Sequence, residues 1–278
     1  MDLNRWFRRI YAIMWFSWQE LSNWTKPYIF AIYVLVRPLF GLLLYAYIYI
    51  AFAITSGLVD PDAAFYIITG IAFYNFIGEG IYGITWVIHE EREHYSILKY
   101  NYISFPNLRN YLLARSLVNY IIGFIVSIIV LIIGFYLVGL GVSYLNPNIP
   151  LFILMYIIGF IWSSFLAVTV SGTSLFSAEY GPLISEAIAG LLFLLGNVLF
   201  PVSILPQWLL PLAEVLPMAD WMELMRYSLN IDYQVNLLFL LSKLLVKTII
   251  YVVIGIVFFT VADRLARKRG LLEASFHH

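Results

Sequence analysis

Long runs of apolar residues without a formal charge fill most of the chain. Arg37 is followed by 22 uncharged residues, and 63 uncharged residues separate Arg115 from Glu179. A single helix over the longer run would measure about 95 Å, roughly three times the hydrocarbon thickness of a bilayer. The chain must therefore reverse within that run, and residues 146–150, with two prolines and two asparagines, mark the reversal.

The uncharged runs predict six transmembrane helices, because an ionisable side chain at the bilayer centre costs about 2.5 kcal/mol or more. Lys243 and Lys247 open the sixth run, where their long side chains can reach the membrane edge. The predicted fold is therefore an all-α polytopic membrane protein. Its six spans lie near residues 30–53, 64–88, 112–140, 151–176, 182–200 and 243–262.

Residues 1–27 predict an amphipathic helix at the membrane interface. Read at the helical period, their apolar side chains form one stripe and most polar side chains lie elsewhere. A first transmembrane span is the alternative, but three arginines in the first turns and Glu20 in the last would make it costly. Lys26 and Pro27 then end this helix.

The composition excludes a soluble enzyme. Of the 278 residues, 62% are hydrophobic and 12% are charged, whereas an average soluble chain is about 25% charged. Sixteen basic residues balance sixteen acidic ones, so there is no basic surplus to bind nucleic acid. The sequence has no cysteine, which excludes disulfides and thiolate chemistry. We expect one membrane domain over residues 1–278.

The distribution of basic residues predicts that both termini are cytoplasmic. Twelve of the sixteen Lys and Arg residues lie in the N-terminal helix, the connection between spans two and three, and the tail. The opposite side has Arg226 in its third loop, among acidic residues. Because cytoplasmic loops are enriched in Lys and Arg, we expect the basic side to face the cytoplasm. The predicted location of the chain is the cell membrane.

Two of the connections between spans are predicted to form short helices. Residues 89–106 begin with charged residues and become amphipathic, which predicts a short helix across the cytoplasmic face. Residues 201–232 on the outer side contain four prolines separated by apolar residues. Prolines this dense forbid one long helix, and the apolar residues disfavour a solvated loop, so we expect short helices that dip into the outer leaflet.

Four features together resemble the ABC-2 type permeases, the membrane subunits of type V ABC transporters. They are the N-terminal amphipathic helix, the six spans, a cytoplasmic Glu-Arg-Glu element at 91–93 before Pro106 and Arg115, and an outer Pro-x-Ser-x-Leu-Pro-x-Trp segment beginning at Pro201. The resemblance covers nearly the whole chain. Where family members often carry Gly-Thr-Leu, residues 96–98 read Ser-Ile-Leu.

The resemblance implies one half of a transporter. Two permease subunits, identical or different, would form the pathway within the membrane lipids, and two separate ATPase subunits would dock beneath it. ATP and magnesium would then bind in the ATPases and not in this chain. The outer segment is expected to gate the exit through Pro201, Leu205, Pro206 and Trp208.

The cytoplasmic element is expected to contact the ATPase. We expect the carboxylates of Glu90, Glu91 and Glu93 to face water and to accept charge-assisted hydrogen bonds from the partner. The residues assigned to ATPase coupling are Glu90, Glu91, Arg92, Glu93, Ile97 and Leu98.

Catalytic motifs are absent from the sequence. It has no GxxxxGK[ST] phosphate loop, no HExxH and no GxSxG, so energy must come from another chain or from an ion gradient, and no catalytic residue is assigned. His89 and His94, beside three carboxylates, could form a metal site, but a solvated charged helix is the simpler interpretation.

Two carboxylates lie within predicted spans, where ionisable residues are functional candidates. Glu79, between Gly78 and Gly80 and one turn from Asn75, is assigned to a pathway or subunit interface, or else to a buried carboxyl bonded to its neighbours. Glu186 lies near the cytoplasmic end of its span, which favours an interfacial position.

The sequence favours the permease of an ATP-driven exporter for an amphiphilic substrate, such as a lipid-linked glycan, a lipid, a drug or a peptide. A proton-coupled secondary transporter that uses Glu79 is the alternative, although no inverted repeat with paired broken spans is visible. A polytopic membrane enzyme is disfavoured because charged residues do not cluster at one depth.

Overall fold

A computed structural model gives the fold of the protein. It describes residues 3–58, 60–95, 97–105, 107–141, 144–176 and 180–270. Within these ranges almost every residue is helical, which confirms the all-α prediction for this part of the chain. The helices are α1 (Leu3–Ser22), α2 (Pro27–Ser56), α3 (Pro61–Thr85), α4 (Val87–His89), α5 (Leu98–Ser104), α6 (Leu108–Leu137), α7 (Ile149–Ser174), α8 (Tyr180–Leu195), α9 (Leu210–Val215), α10 (Pro217–Leu229) and α11 (Leu237–Lys268), with a π-helical turn at Glu90–His94 and a 3₁₀ turn at Val202–Ile204.

Among the described residues, five helical segments are long and apolar enough to cross a membrane. They are α2, α3 with its continuation to Glu93, α6, α7 and α11, and they confirm a polytopic membrane protein. The predicted fifth span corresponds to α8, which has 16 residues. A helix of that length extends about 24 Å, less than the roughly 30 Å of the hydrocarbon core. The count of six spans therefore stays a prediction.

Capping side chains and a glycine define the ends of these helices. The carboxylate of Asp60 accepts hydrogen bonds from the first free amides of α3. Asn148 accepts a 3.1 Å hydrogen bond from the amide of Leu151, which confirms the predicted reversal at 146–150. Gly57 ends α2 with φ of +68°, a left-handed conformation that favours glycine.

The helix α3 lies at the centre of the bundle, between α6 and α7. Gly80 allows α6 to approach closely, since a Cβ atom there would lie 2.0 Å from the ring of Tyr120. Gly80 therefore serves packing within the chain on this side of α3. The helices α2 and α11 lie outside and expose most of their apolar side chains.

The outer segment is more buried than the sequence predicted. The helix α10 packs against α7 and α11, and the fully buried Trp221 donates a 2.7 Å hydrogen bond to the carbonyl oxygen of Met155. Other helices of the chain cover the apolar face of α10, and the prediction that this segment dips into the outer leaflet stays a prediction. The 3₁₀ turn and α9 are largely exposed.

Lys243 and Lys247 both contact the carboxylate of Asp220 in α10. The Nζ of Lys243 lies 3.1 Å from Asp220 Oδ1, and Lys247 forms an ion pair with the other oxygen of the same carboxylate. Lys247 also donates a 3.1 Å hydrogen bond to the carbonyl oxygen of Leu216. The buried Asp220 therefore holds both lysines against α10, and their snorkelling to the membrane edge stays a prediction.

Candidate functional site

A buried ionic network joins four parts of the chain on the side where α1 ends. The Nη1 of Arg115 in α6 lies 2.5 Å from Glu91 Oε1, and its Nη2 forms an ion pair with Glu20 of α1. The hydroxyl of Tyr111 donates to Glu91, and Asn101 Nδ2 of α5 donates a 2.9 Å hydrogen bond to the second oxygen of that carboxylate. These five residues are called the Arg115 network below.

Local backbone geometry places these groups together. Glu91 lies in the π-helical turn that continues the line of α3, and its carbonyl oxygen accepts a 2.8 Å hydrogen bond from the amide of Ile97. Tyr111 and Arg115 are four residues apart, so both project from one face of α6. Removing one member of a buried ion pair costs about 3–5 kcal/mol, because the other charge then lacks its partner.

The structure corrects the prediction that the acidic cluster faces water. Glu91 is 0% exposed. The side chain of Glu93 is 1% exposed and accepts a 2.9 Å hydrogen bond from Arg92 Nε. Of the three carboxylates, only Glu90 has a substantially exposed side chain, at 41%. The prediction was wrong for Glu91 and Glu93 because these residues extend α3 instead of forming a separate surface helix.

The helix α5 forms the exposed part of the predicted coupling element. Leu98 begins α5 and is buried, and Ile97 immediately before it is half-buried. Tyr100 and Ile103, one turn apart, are 58% and 82% exposed. The sequence analysis missed this pair, although two apolar residues spaced by three in a connection predicted to be cytoplasmic were the available signal.

A second set of contacts ties α5 to the last long helix. The hydroxyl of Tyr102 donates a 2.6 Å hydrogen bond to Asp263 Oδ1 of α11. Arg267 pairs with the same carboxylate at 3.2 Å and lies 4.8 Å from the centroid of the Tyr102 ring. Burial, and then the hydrogen bond to Asp263, raise the pKa of Tyr102 above its ordinary range, so the hydroxyl remains a donor.

Glu79 and Glu186, the two carboxylates predicted to lie within spans, lie near Arg37 on one side of the helix bundle. The guanidinium of Arg37 in α2 is attracted to the carboxylates of Glu79 in α3 and Glu186 in α8. It also lies 5.6 Å from the centroid of the Tyr82 ring. Arg37 and Glu186 are exposed, and Glu79 is half-buried. These four residues are called the Arg37 surface below.

Asn75 has a local role in the described structure. Its Nδ2 donates a 2.8 Å hydrogen bond to the carbonyl oxygen of Ile71, one turn earlier in α3. The charge of Arg37 in α2 therefore acts on Glu79, whereas the amide of Asn75 is used within its own helix.

The predicted gate residues differ in their environments. Leu205 is buried and packs with Leu195 and Ala213 in a small apolar cluster. Trp208 is 73% exposed. Pro201 and Pro206 are also exposed. One side of this segment is therefore anchored to the end of α8, and the other is exposed.

Arg226 is a buried residue and not the outer loop charge that the sequence predicted. It is 0% exposed, and its Nη2 donates a 2.6 Å hydrogen bond to the carbonyl oxygen of Asn197, just beyond α8. Its Nε donates to Thr69 of α3 at 3.2 Å. Asn197 has φ of +58°, where the chain turns out of α8. A cation here satisfies carbonyl groups left free at a helix end.

Glu223 completes this outer network. It lies 3.9 Å from Arg226 Nη1 and accepts a 2.7 Å hydrogen bond from the Tyr233 hydroxyl. Burial, and then the negative charge of Glu223, raise the pKa of Tyr233, which keeps this donor protonated. A lone arginine within an otherwise acidic outer segment was the sequence signal for this network.

Comparison with known protein families gives one match. A family model described as ABC-2 type transporter matches residues 8–230, a range that contains the Arg115 network, the Arg37 surface and Arg226. A comparison with curated proteins gives no match.

Proposed function

This chain belongs to the ABC-2 type transporter family, and we propose that it is the permease subunit of an ATP-driven exporter that works as a dimer. The family match is the observation that carries the proposal, because it makes the chain the membrane component of an ABC transporter. We propose a single permease domain in the cell membrane, with both termini in the cytoplasm and α8 completing six spans. The substrate class is an amphiphile, such as a lipid-linked glycan, a lipid, a drug or a peptide.

We assign the docking of the ATPase to α5 and the adjoining π-helical turn. Tyr100 and Ile103 give α5 an exposed apolar surface, and Glu90 offers an exposed carboxylate beside it. Exposed apolar groups ringed by polar ones are typical of protein contacts. ATP and magnesium would bind in the partner, since this sequence has no phosphate loop.

The contacts around α5 support a mechanical role for this region. The Arg115 network links α5 and the π-helical turn to α1 and α6, and the Tyr102 hydrogen bond links α5 to α11. Displacement of α5 by the ATPase would therefore act on helices from both ends of the chain. Packed interfaces respond to such small shifts by switching between discrete arrangements.

The Arg37 surface supports the dimeric pathway. Ionisable groups within membrane spans almost always face a bundle interior or a water-filled cavity, because lipid does not solvate them. Arg37 and Glu186 are exposed on the isolated chain, so a second permease subunit or an aqueous pathway has to cover them. We propose that both do so, with α2, α3 and α8 lining the pathway at the subunit interface.

The outer segment is proposed as the exit gate. The exposed 3₁₀ turn and α9 would form the moving part, and Leu205 would hold them to the end of α8. Arg226 would keep the chain turned out of α8, since it binds the carbonyl oxygen of Asn197.

Copurification and reconstitution test the proposed function. Affinity purification of the chain from its native membrane should recover an ABC ATPase. Proteoliposomes with that ATPase should export an amphiphile only with ATP and magnesium. Transport driven by a proton gradient in proteoliposomes that contain this chain alone would instead support the secondary transporter, and Glu79→Gln should then abolish it.

A further inference from the structure

A cavity of about 530 Å³ lies between α1, α2 and α6. This volume falls within the range of about 300–1,000 Å³ for small-molecule sites. Neither the docking of an ATPase nor the proposed pathway uses this cavity, so its occupant is a separate question. The distribution of apolar and polar groups along its wall answers that question.

The apolar part of the cavity wall runs along two helices. On α2 the lining residues lie between Pro27 and Leu35, and on α6 between Ile122 and Ile129. Each set follows the spacing of one helical face, and each extends about 10–12 Å along its helix. The wall therefore presents two parallel apolar ridges, which suit a hydrocarbon chain lying between them.

The polar end of the cavity, called its mouth below, is formed by α1 and the residues just beyond it. Gln19, Ser22 and Asn23, from the last turn of α1 and just beyond it, line this end. Trp18 packs edge-on against Phe30 with ring centroids 5.6 Å apart, which joins α1 to the start of α2. Exposed tryptophan and tyrosine mark the headgroup level of a bilayer. Here those residues are Trp18, Trp24 and Tyr28, at 40%, 60% and 60% exposure.

A cationic residue, Lys26, is next to this end in the sequence, and its own side chain is not among the lining residues. Lys26 is exposed and sits between Thr25 and Pro27, which both line the cavity. None of the described lining residues is acidic. The mouth is therefore suited to a negative group, and a lysine near the membrane surface favours an anionic lipid by about fivefold.

We propose that this cavity holds one anionic phospholipid, with an acyl chain between α2 and α6 and the phosphate at Lys26. The site goes beyond the proposed transport function, because its ligand is a resident lipid and not the cargo. A lipid bound there would stabilise the packing of α1 against α2 and α6. Gln19 lines the cavity and the next residue, Glu20, pairs with Arg115, so lipid occupancy would stabilise the Arg115 network.

Native mass spectrometry of the delipidated full-length chain tests this proposal. The probes are phosphatidylglycerol and phosphatidylcholine with identical acyl chains. We expect one saturable site for phosphatidylglycerol, with affinity about fivefold higher than for phosphatidylcholine. Lys26→Gln should remove this preference and leave a weaker site for either lipid.

Filling the cavity provides the matched comparison. Ile125→Trp should remove the saturable site, whereas Ile132→Trp, two turns further along α6, should keep it. Both positions are exposed, at 52% and 65%, so neither substitution has to fit into the core. Ala31→Leu fills the same cavity from α2 and should repeat the result of Ile125→Trp.

Three results would overturn the proposal. The first is unchanged lipid binding by both Ile125→Trp and Ala31→Leu. The second is equal affinity of the unmodified chain for the two lipids, which would leave an apolar groove without headgroup selection. The third is binding that rises without saturation, which would indicate nonspecific lipid association only.

Discussion

The Tyr102 hydroxyl donates a 2.6 Å hydrogen bond to the carboxylate of Asp263, which lies 161 positions later in the sequence. This bond joins the short helix α5 to the last long helix of the bundle. The Arg115 network joins the same region to α1, near the start of the chain. The proposed ATPase contact is therefore tied to both ends of the membrane domain.

Removing the Tyr102 hydroxyl should weaken the link between α5 and α11. We expect Tyr102→Phe to lower the free energy of unfolding by about 1.5–3 kcal/mol, the contribution of a hydrogen bond to a charged group. In the reconstituted complex it should lower the amount of substrate exported per ATP hydrolysed. Tyr136→Phe, at an exposed position of α6, is the control and should change neither quantity. An unchanged export ratio in Tyr102→Phe would exclude this hydrogen bond from coupling.

Replacing Arg115 should destabilise the chain. Arg115→Met leaves the buried carboxylate of Glu91 without its cation, and we expect a loss of about 3–5 kcal/mol in the free energy of unfolding. Denaturation of the purified chain measures this loss in the free energy of unfolding. Arg264→Met changes an exposed arginine and should stay within about 0.5 kcal/mol.

The double variant Arg115→Met, Glu91→Met distinguishes the contribution of charge pairing to stability from that of side-chain packing. It removes both buried charges, so it should recover part of the stability that Arg115→Met loses. A double variant no more stable than Arg115→Met alone would show that shape, and not charge pairing, sets the stability of this region.

The Arg37 surface should lie at the subunit interface. The chain has no cysteine, so a single introduced thiol reports one position. We expect Glu186→Cys to form dimers with a short bifunctional thiol reagent in membranes. Val257→Cys, which is 56% exposed on α11, is the control and should remain monomeric. Equal crosslinking at both positions would indicate random collision and would remove the support for this interface.

The outer segment should react with impermeant thiol reagents in a pattern that follows burial. Cysteines at Ile204, Trp208 and Leu212, which are 66%, 73% and 53% exposed, should be labelled from outside. Cysteine at the fully buried Met222 should be protected. Labelling at position 208 should change when the ATPase binds ATP. Constant labelling there in every nucleotide state would assign the segment a structural role and not a gating role.

The long helices were predictable because a bilayer excludes charge along a continuous stretch. The fourth predicted span, 151–176, corresponds to Ile149–Ser174, and the third, 112–140, corresponds to Leu108–Leu137. Their starts could be located because Asn107 and Asn148 cap the first turns. The limits of these helices therefore depend on nearby residues, and nearby residues are visible in the sequence.

The polar networks were not predictable in the same way. Glu91 was expected to face water, but its partner Arg115 lies 24 positions away. Arg226 was expected in an outer loop, but it bonds to Thr69, 157 positions away. Hydropathy assigns each charge from its neighbours in sequence, whereas burial depends on the group that packing brings beside it. A single sequence holds no local pattern for such a pairing.

Photocrosslinking from α5 tests the coupling account most directly. A photoreactive amino acid at Ile103, which is 82% exposed, should form an adduct with the copurifying ATPase in native membranes. The same photoreactive amino acid in place of Leu238 is the control and should form no ATPase adduct. Leu238 is 80% exposed and lies at the opposite end of the bundle. The account predicts an ATPase adduct at position 103 alone. Absence of that adduct from an intact complex, or an equal yield at position 238, would contradict it.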